Sequence, residues 1–352
     1  MTEVKRGYVR PLDIKHGRID LSHGSGGRAM AQLIEELFAA AFDNEFLRQG
    51  NDGALLPVPT GGRMVMAADA HVVSPLFFPG GDIGSLSVHG TINDVAVMGA
   101  RPLWLSASFI LEEGFPLADL KRIVESMAAA AKEAGVPVVT GDTKVVEQGK
   151  GDGVFITTTG VGALPAGRDP GGARARSGDV VLLSGRIGDH GMAIMAQRES
   201  LAFDSEIVSD SAPIHGLVEA LYAAVPAEAI RVLRDPTRGG LATTLNEIAT
   251  QSGVGMELDE VAIPVSPQVH AACELLGLDP LYVANEGKLV VLCAPEHAGA
   301  ALAALRAHPL GAEAARIGCA TADPQHFVQL RTALGGRRMV DWIAGEQLPR
   351  IC

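Results

Sequence analysis

The sequence has few aromatic residues and no surplus of positive charge. Aromatic side chains make up 4% of the 352 residues, and 29 Lys and Arg against 41 Asp and Glu leave a formal net charge of −12. Because a nucleic-acid or anionic-membrane partner requires a basic patch, this balance argues against both. The 42 glycines favour close backbone packing and glycine-shaped loops over aromatic stacking platforms.

Cysteine is also scarce, and no two cysteines stand in a CxxC pair. The spacing of Cys273, Cys293, Cys319 and Cys352 therefore suggests neither a zinc knuckle nor a thioredoxin-like redox site. The first three lie in apolar helix or strand patterns, and we expect them to behave as small buried hydrophobes. Cys352 is the final residue and belongs to no such pattern. Taken alone, it is most simply part of a frayed chain end.

Long apolar runs are absent as well. No uninterrupted run reaches membrane-spanning length, and the opening segment MTEVKRGYVR lacks the apolar core of a signal peptide, so we expect a cytoplasmic location. With 47% hydrophobic and 20% charged residues, the composition is typical of a globular protein. The length suggests two domains, and residues 163–178, rich in Pro, Gly and Arg, are the predicted linker.

Two glycine-bearing turns each precede a predicted helix. His23–Gly27 comes before an apolar helix pattern at Ala29–Phe42, and Asp235–Gly240 comes before the predicted helix Leu241–Gln251. Glycines at a helix start let backbone N–H groups approach a phosphate, and the helix dipole favours the anion. Each turn is also explained as a flexible or capped entry to a helix.

Three aspartates follow or interrupt apolar elements in the first half of the chain. Asp69 ends a short strand, and Asp94 interrupts the apolar stripe of a helix. Asp142 stands with Lys144 just beyond a buried strand predicted at 136–139. Carboxylate oxygens of this kind suit Mg²⁺, which normally binds together with the phosphates of a nucleotide. A salt bridge is the alternative for Asp94, and a solvated ion pair is the alternative for Asp142 with Lys144.

Two further segments are unusual for their positions. Residues 71–82 form an apolar loop with two prolines and two glycines, which we expect to lie under another subunit or over a ligand. Glu286 stands at the mouth of the very apolar strand Leu289–Cys293, where a pKa raised by burial would make it a general base. A plain Asn-Glu-Gly turn is the alternative for this segment.

Together these segments resemble the HypE family of hydrogenase maturation factors, within the aminoimidazole-ribotide-synthetase-like ATP-binding superfamily. The resemblance covers nearly the whole chain. HGSGG and DPTRGG are shared with sister families, whereas FFPGGDIG together with the terminal PRIC is specific. The matching segments are HGSGG (His23–Gly27), SPLFFPGGDIG (Ser74–Gly84), GTINDVAVMGARP (Gly90–Pro102), TGDTKVV (Thr140–Val146), SGRIGDHG (Ser184–Gly191), DPTRGG (Asp235–Gly240), ANEGKL (Ala284–Leu289) and PRIC (Pro349–Cys352).

The resemblance implies a two-domain α+β fold. Residues 1–165 would bind ATP and dimerise, residues 176–337 would form the second domain, and residues 338–352 would be a mobile tail. It implies a homodimer in which the N-terminal sheets pair and ATP lies at their interface. The implied reaction is the ATP-dependent dehydration of a carbamoyl group on Cys352 to a thiocyanate, which supplies cyanide to the iron of NiFe hydrogenase. The implied partners are the carbamoyltransferase HypF, which loads the cysteine, and the HypC–HypD scaffold, which receives the cyanide.

The resemblance also assigns roles to individual residues. Cys352 is carrier and substrate, Lys144 stabilises the transferring phosphoryl group, and Glu286 is the base. Asp235 and Arg238 position phosphate or the tail. The residues assigned to Mg-ATP are four carboxylates, with two glycines beside the phosphates: Asp52, Asp69, Asp94, Asp142, Gly26 and Gly27. The chain departs from the family's usual Thr-Thr-Asp-Ser at Ala67-Ala68-Asp69-Ala70, which removes hydroxyl contacts beside the aspartate.

Two other functions stay open at the level of sequence. A selenide- or ribotide-type ATP-dependent synthase of the same superfamily would share the nucleotide-binding residues but would need no terminal cysteine. A non-enzymatic docking protein would present its C-terminal peptide for capture by a partner. The carrier role fits a tail of about a dozen residues, which spans on the order of 40 Å when extended and so carries its cysteine between sites.

Overall fold

The structure, a computed structural model, describes residues 11–25, 27–49, 53–199, 206–343 and 350–351. Within them, a four-stranded sheet lies in the first half of the chain and a seven-stranded sheet in the second, with a separate two-stranded ribbon, β2-β3. The strands are β1 (Gly62–His71), β2 (Phe77–Phe78), β3 (Gly81–Asp82), β4 (Arg101–Glu112), β5 (Val138–Val146), β6 (Val154–Pro165), β7 (Val180–Leu183), β8 (Ile230–Arg234), β9 (Gly255–Asp259), β10 (Val290–Cys293), β11 (Ala315–Thr321), β12 (Val328–Arg331) and β13 (Arg337–Met339). The helices are α1 (Arg28–Leu33), α2 (Ala40–Phe42), α3 (Ile83–Val97), α4 (Leu117–Ala134), α5 (Asp189–Arg198), α6 (His215–Ala224), α7 (Gly240–Ser252), α8 (Pro267–Leu276) and α9 (Ala298–Ala307), with a π-helical segment, Ile34–Ala39, joining α1 to α2.

The four-stranded sheet has the order β1-β6-β4-β5, and only the β4–β5 pair is parallel. Strand β6 alternates between buried and more exposed residues, and most of β1 alternates between partly buried and exposed ones, as strands with one covered face do. Helix α3 packs closely on the covered face because β6 presents glycines there: a Cβ at Gly160 would stand 2.9 Å from the side chains of Thr91 and Val95. The opposite face exposes apolar side chains, including Met64 and Met66.

Helix α4 completes this layer and has clear boundary signals. Pro116 precedes its first residue, and Gly135 ends it in the left-handed conformation at a φ of 69°. Its buried side chains, such as Leu120, Ile123 and Met127, share one core cluster with α3 and the covered face of the sheet. Among the residues described in the N-terminal half, the helices therefore lie on one face of the sheet.

The seven-stranded sheet has the order β13-β12-β9-β11-β7-β10-β8, and it is covered on both faces near its centre. Val181 and Leu183 of β7 pack in one cluster with α7, whereas Val180 and Leu182 pack in another with α6 and α9. Burial on both faces explains why β7 and β10 read as continuous apolar runs without alternation.

Helix α3 joins the two halves. The Nδ2 of Asn93 donates hydrogen bonds to the carbonyls of Ala212 and Glu286, each at 3.0 Å, and its Oδ1 accepts from the Ile214 amide at 2.8 Å. Asn93 is 1% exposed, so this junction is a buried and satisfied polar contact. It fixes the position of Asp94, the next residue of α3, relative to the second half of the chain.

The structure corrects two local predictions. Strand β5 spans Val138–Val146, so Asp142 and Lys144 lie within it and not in a loop beyond residue 139. Parallel pairing with β4, in which Ser108 stands opposite Asp142, extends the strand through this polar stretch. Of the three cysteines expected to be buried, Cys273 and Cys293 are buried, but Cys319 is only partly so.

The two-domain limits at 1–165, 176–337 and 338–352 stay a prediction. At the C-terminal end, β13 is the edge strand of the large sheet, and the amide of Val340 still donates to the Val328 carbonyl at 2.8 Å. Packing on the sheet therefore continues at least to residue 340, two residues beyond the predicted start of the tail.

Candidate functional site

Three of the predicted site carboxylates share one acidic cluster. Asp69 is on β1, Asp94 is on α3, and Asp235 directly follows β8. Burial and the negative charges of Asp235 and Asp69 raise the pKa of Asp94 to about 7. Burial likewise raises the pKa of Asp235 to about 6, and the charge of Asp69 adds to it. The cluster thus holds more negative charge than its surroundings compensate.

Asp69 is the member that keeps its charge most readily. Burial works against its ionised form, but His71 and Arg238 nearby outweigh that effect and hold its pKa below the usual value. The Oδ2 of Asp69 lies 3.2 Å from the Nε2 of His71, and its Oδ1 lies 3.9 Å from a guanidinium nitrogen of Arg238. Gly90 of α3 permits this arrangement, because a Cβ there would stand 2.9 Å from the His71 ring.

The acidic cluster fits a divalent cation by charge but does not complete its coordination. Raised pKa values at Asp94 and Asp235 are what carboxylates show when a compensating positive charge is missing. Among the described residues, however, no three His, Cys, Asp or Glu side chains come close enough together to hold a metal ion by themselves. A cation here needs further oxygen ligands, and Mg²⁺ commonly takes them from phosphates and water.

Arg238 stands at the rim of the acidic cluster. Its side chain is 79% exposed, and it belongs to a turn that ends in Gly239 and Gly240, both with positive φ. A Cβ at Gly240 would stand 2.6 Å from the carbonyl oxygens of Leu281 and Val283, so the turn at the start of α7 requires glycine. The exposed guanidinium is therefore held beside the acidic cluster and remains accessible to an anion.

Asp142 and Lys144 form a second site, at the other edge of the same sheet. The Nζ of Lys144 lies 2.9 Å from Oδ1 and 2.8 Å from Oδ2 of Asp142, and this contact holds the pKa of Asp142 below its usual value. Beside it, the Leu21–Gly24 turn packs on β5, where Gly24 contacts Val145. Gly27 caps α1, and the space beside it is open.

The two sites of one chain are too far apart to act together. Asp69 of β1 is paired with Thr158 of β6, and Thr158 is paired with Ala107 of β4. Ala107 is paired with Gly141 of β5, so two strands lie between β1 and β5. At the usual strand spacing this is about 14 Å. The predicted set is thus divided: Asp69, Asp94, Asp235 and Arg238 come together, whereas Asp142, Lys144 and Gly27 lie elsewhere. Gly26, Asp52 and Cys352 lie outside the described residues.

Glu286 lies at the centre of a buried polar network and is 3% exposed. Its carbonyl accepts from Asn93, and its amide donates to Oδ1 of Asp210 at 3.1 Å. Asp210 in turn pairs with Lys288 at 2.9 Å, which lowers the pKa of Asp210 despite burial. The segment is therefore buried and hydrogen-bonded, and both its interpretation as a base and the alternative of an Asn-Glu-Gly turn stay predictions.

Asn285, which the sequence analysis passed over, organises the same loop. It is fully buried, its Oδ1 accepts from the Gly188 amide at 2.7 Å, and its Nδ2 donates to the carbonyls of Pro236 and Val283. These bonds tie Glu286 to the start of α5 and to the turn that contains Asp235. The signal was present in the sequence, since Asn285 and Gly188 both lie within segments that carry the resemblance.

The apolar loop after β1 and the start of α5 contact the end of the chain. Ile351 is 3% exposed and packs in the core cluster that includes Val73 and Phe78 of the loop. The Ile351 carbonyl lies 3.0 Å from Nε2 of His190. The loop expected to cover a ligand or a subunit thus contacts the chain's own C-terminal residues.

The chain is similar to known proteins over nearly its full length. The AIR synthase related protein N-terminal domain matches residues 50–164, and the corresponding C-terminal domain matches residues 176–331. A protein of Cupriavidus necator named carbamoyl dehydratase HypE is 74% identical over 99% of both chains, and the protein of that name from Escherichia coli K12 is 48% identical over 95% of this chain and 99% of its own. None of the described helices is long and apolar enough to cross a bilayer.

Solved structures agree with this similarity. A hydrogenase maturation protein HypE in complex with ATP superposes with a TM-score of 0.90 at 52% identity, covering 94% of this chain and 99% of that one. The HypE chain of a HypE–HypF complex gives a TM-score of 0.78 at 51% identity, covering 88% and 99%. A thiamine-monophosphate kinase from Stenotrophomonas maltophilia, at 22% identity and a TM-score of 0.63 over 88% and 96%, shares the fold alone.

Proposed function

The chain belongs to the carbamoyl dehydratase HypE family, within the AIR synthase related proteins, and we propose how its residues dehydrate an S-carbamoyl group on Cys352 at the expense of ATP. The product is a protein-bound thiocyanate, which supplies the cyanide used in NiFe hydrogenase maturation. The observation that carries this function is 74% identity over 99% of both chains to a carbamoyl dehydratase.

The reaction requires activation of an oxygen that leaves poorly. The carbamoyl oxygen attacks the γ-phosphorus of ATP, which releases ADP and converts that oxygen into a phosphate ester. Loss of phosphate and of the remaining N–H protons then forms the C≡N triple bond. The net change is thiocarbamate plus ATP to thiocyanate, ADP, phosphate and a proton. The protein must therefore hold phosphates, compensate their charge and accept a proton from nitrogen.

We assign the acidic cluster to a magnesium ion. Asp69 and Asp94 are the proposed ligands, with Asp235 beside them, and the ion would compensate the phosphate charge of ATP. The excess negative charge that raises the pKa of Asp94 and Asp235 supports a cation here. The exposed Arg238 is suited to contact a phosphate oxygen at the rim of the cluster.

Lys144 and Asp142 would complete the site from a second copy of the chain. The uncovered face of the four-stranded sheet exposes Met64, Met66 and Ile110 at 59%, 73% and 42%, which supports pairing of two such sheets. A homodimer would bring the β5 edge of one protomer to the β1 edge of its partner. The lysine would then stabilise the transferring phosphoryl group, and Gly27 with Gly26 would approach the phosphates.

Glu286 is the proposed base for the carbamoyl nitrogen. It is buried, and its loop connects α3, the turn that contains Asp235 and the start of α5. A general base must lie within hydrogen-bond reach of the proton that it accepts, and a carboxylate is suited to that role. The carboxylate would therefore act between the phosphates and the tail.

Two partners follow from the reaction. The carbamoyltransferase HypF would load Cys352, and a relative 51% identical to this chain is solved in a complex named HypE–HypF. The HypC–HypD scaffold would receive the cyanide, because cleavage of the thiocyanate into the Cys352 thiolate and cyanide requires an acceptor that also supplies two electrons. Each partner needs the tail free of the dehydratase site.

Intact-mass spectrometry tests the proposal directly. The protein is incubated with the carbamoyltransferase, carbamoyl phosphate and ATP, and the C-terminal peptide is then isolated. We expect a carbamoyl adduct that loses the mass of one water only when ATP is present, and no adduct on Cys352→Ala. A selenide- or ribotide-type synthase would give neither result, and an adduct that never dehydrates would refute the proposed dehydratase function.

A further inference from the structure

Three residues of α5 form one face toward the end of the chain. His190, Ile194 and Arg198 are spaced four apart, so their side chains lie along a single side of the helix. Side chains on a helix lean toward its N-terminus, so Arg198 reaches back along this side toward His190. Ile194 shares a core cluster with Ile351.

The backbone of Arg350 and Ile351 is held at both carbonyls. The Arg350 carbonyl accepts from the Ser74 amide at 3.1 Å and from Nη2 of Arg198 at 3.0 Å. Arg198 also donates to the Ser74 carbonyl, from Nε at 3.1 Å and from Nη2 at 2.5 Å. The guanidinium thus joins the loop after β1 to the tail in one hydrogen-bonded unit.

His190 donates the remaining contact, and its surroundings set the direction of the bond. A carbonyl can only accept, so Nε2 of His190 carries the hydrogen that the Ile351 carbonyl receives at 3.0 Å. Burial lowers the pKa of His190, which keeps the ring neutral and leaves Nδ1 as an acceptor. Ser209 lies 2.8 Å from that nitrogen and donates to it, while its own oxygen accepts from the Ser211 amide at 3.1 Å.

The other interactions of Arg350 and Ile351 do not involve their carbonyl groups. Arg350 forms an ion pair with Asp152, and both side chains are about half exposed. Such surface pairs contribute little. Arg350 also has a φ of 55°, in the left-handed region, so the chain turns sharply just before Ile351 enters its apolar pocket. The tail is thus recognised mainly by two carbonyls and one buried isoleucine.

We propose that His190, Arg198 and the Ser74 amide form a latch that positions the C-terminal tail for dehydration and must open before Cys352 meets another protein. The proposal rests on the proposed function, because it names the positioning residues of that reaction. None of the three reaches the reacting atoms in this role. They act through the backbone of the two residues that precede the cysteine.

The latch predicts opposite effects on two steps. Because Cys352 is bonded to Ile351, a closed latch restrains the cysteine to within one residue of the buried isoleucine. Weakening the latch should slow the dehydration of carbamoylated protein. Carbamoylation by the transferase should proceed at least as fast as in the wild type. A variant that merely damaged the fold would slow both.

The test compares His190→Leu with His190→Gln and the wild-type full chain. Leu fills the space without a donor, whereas the Gln amide offers an N–H in place of Nε2. Carboxypeptidase digestion followed by mass spectrometry reports release of Ile351 without requiring catalysis. For His190→Leu we expect digestion about fivefold faster and single-turnover dehydration about fivefold slower, the factor that one ordinary hydrogen bond contributes. His190→Gln should restore both rates toward those of wild type.

Two further variants keep the proposal testable. His270→Leu, at an exposed position of α8, is the matched control and should change neither rate. If His190→Leu fails to fold, Arg198→Met removes the other side-chain donor and should give the same pair of effects. Unchanged digestion in both latch variants, or an equal fall in dehydration and carbamoylation, would overturn the latch. Wild-type protein that never dehydrates its adduct would refute the proposed function instead, whatever the digestion rates.

Discussion

Asp94 is the proposed magnesium ligand whose charge is the least compensated. Burial and the negative charges of Asp235 and Asp69 raise its pKa to about 7, so its ionised form is disfavoured in the protein alone. We predict that Asp94→Asn makes the nucleotide-free protein slightly more stable and weakens Mg²⁺-dependent ATP binding at least tenfold. Chemical denaturation and titration calorimetry measure the two effects. Glu125→Gln, an exposed change on α4, should alter neither, and unchanged ATP affinity in Asp94→Asn would remove this residue from the site.

Glu286 is the residue whose replacement should affect chemistry most. Its backbone makes bonds that hold the loop, and Gln preserves the size and hydrogen-bonding capacity of the side chain. We predict that Glu286→Gln lowers the dehydration rate about 100-fold or more, the range of general-base catalysis, while ATP binding is unchanged. Single-turnover mass spectrometry measures the rate. Glu274→Gln, exposed on α8, is the control, and a Glu286→Gln enzyme of normal rate would exclude the base assignment.

The buried His89 predicts how the stability of the folded protein depends on pH. Burial and repulsion from His215 lower its pKa to about 4, so in the folded protein it stays neutral where an unfolded chain binds a proton below about pH 6.5. The unfolded state binds more protons in this window, so stability present above pH 6.5 is lost as the pH falls toward 4, by about 3 kcal/mol in all.

The comparison of wild type with His89→Gln isolates that contribution. Gln keeps a hydrogen bond to Ser211, which lies 3.0 Å from the His89 ring, but does not titrate. We expect the free energy of unfolding of the variant to fall less steeply than that of wild type between pH 6.5 and 4, in chemical denaturation at each pH. Parallel curves would show that His89 is not the titrating group.

At the scale of elements, local sequence patterns predicted where a helix begins and ends. They did not predict the end of a strand that depends on pairing with a strand distant in the sequence. Helix α4 was predictable because Pro116, Gly135 and an apolar stripe mark it. Strand β5 was predicted to end at residue 139 because Asp142 and Lys144 are poor strand residues, and only pairing with β4 carries it to Val146.

The candidate site shows the same limit. Asp69, Asp94, Asp142 and Glu286 were identified from their positions beside apolar elements, whereas Asp52 and Asp235 were assigned from the resemblance. His190 and Arg198 were not, because their role depends on contact with residues more than 150 positions away in the chain. No periodicity within α5 reveals that its partner is the tail.

The uncovered face of the four-stranded sheet yields a prediction about assembly. Met66 is 73% exposed midway along β1, an edge strand of that face, where a partner sheet would cover it. We predict that Met66→Asp, which would bury a charge in the interface, shifts the protein from dimer to monomer in light scattering coupled to size exclusion. Val261→Asp, 75% exposed in the second half of the chain, should leave the mass unchanged. A Met66→Asp dimer as tight as wild type would place the interface elsewhere.

At the scale of the whole molecule, the halves are joined where the chemistry is proposed. Asn93 connects α3 to the Glu286 carbonyl, and Asn285 connects the same loop to α5 and to the turn that contains Asp235. The acidic cluster, the proposed base and the tail contacts therefore belong to one continuous network within a chain. Lys144 and Asp142, on the far edge of the sheet, do not belong to it.

This division predicts that two inactive chains can restore each other. If each site takes Asp94 and Glu286 from one protomer and Lys144 from its partner, a mixed dimer of Asp94→Asn and Lys144→Ala chains has one intact site. In the purified mixed dimer about half of the sites are then active, whereas neither parent homodimer has an active site. Co-expressed chains with different tags, purified by both tags and assayed for ATP-dependent dehydration, measure the recovery.

A second mixture tests which residues act from the same chain. Asp94→Asn paired with Glu286→Gln should recover nothing, because every site of that mixed dimer lacks one residue of the same network. Recovery in this pair would separate Glu286 from the acidic cluster that Asn93 links to it. No recovery in the Asp94→Asn and Lys144→Ala pair, with mixed dimers verified, would mean that each site lies within one chain, despite the two strands between its halves.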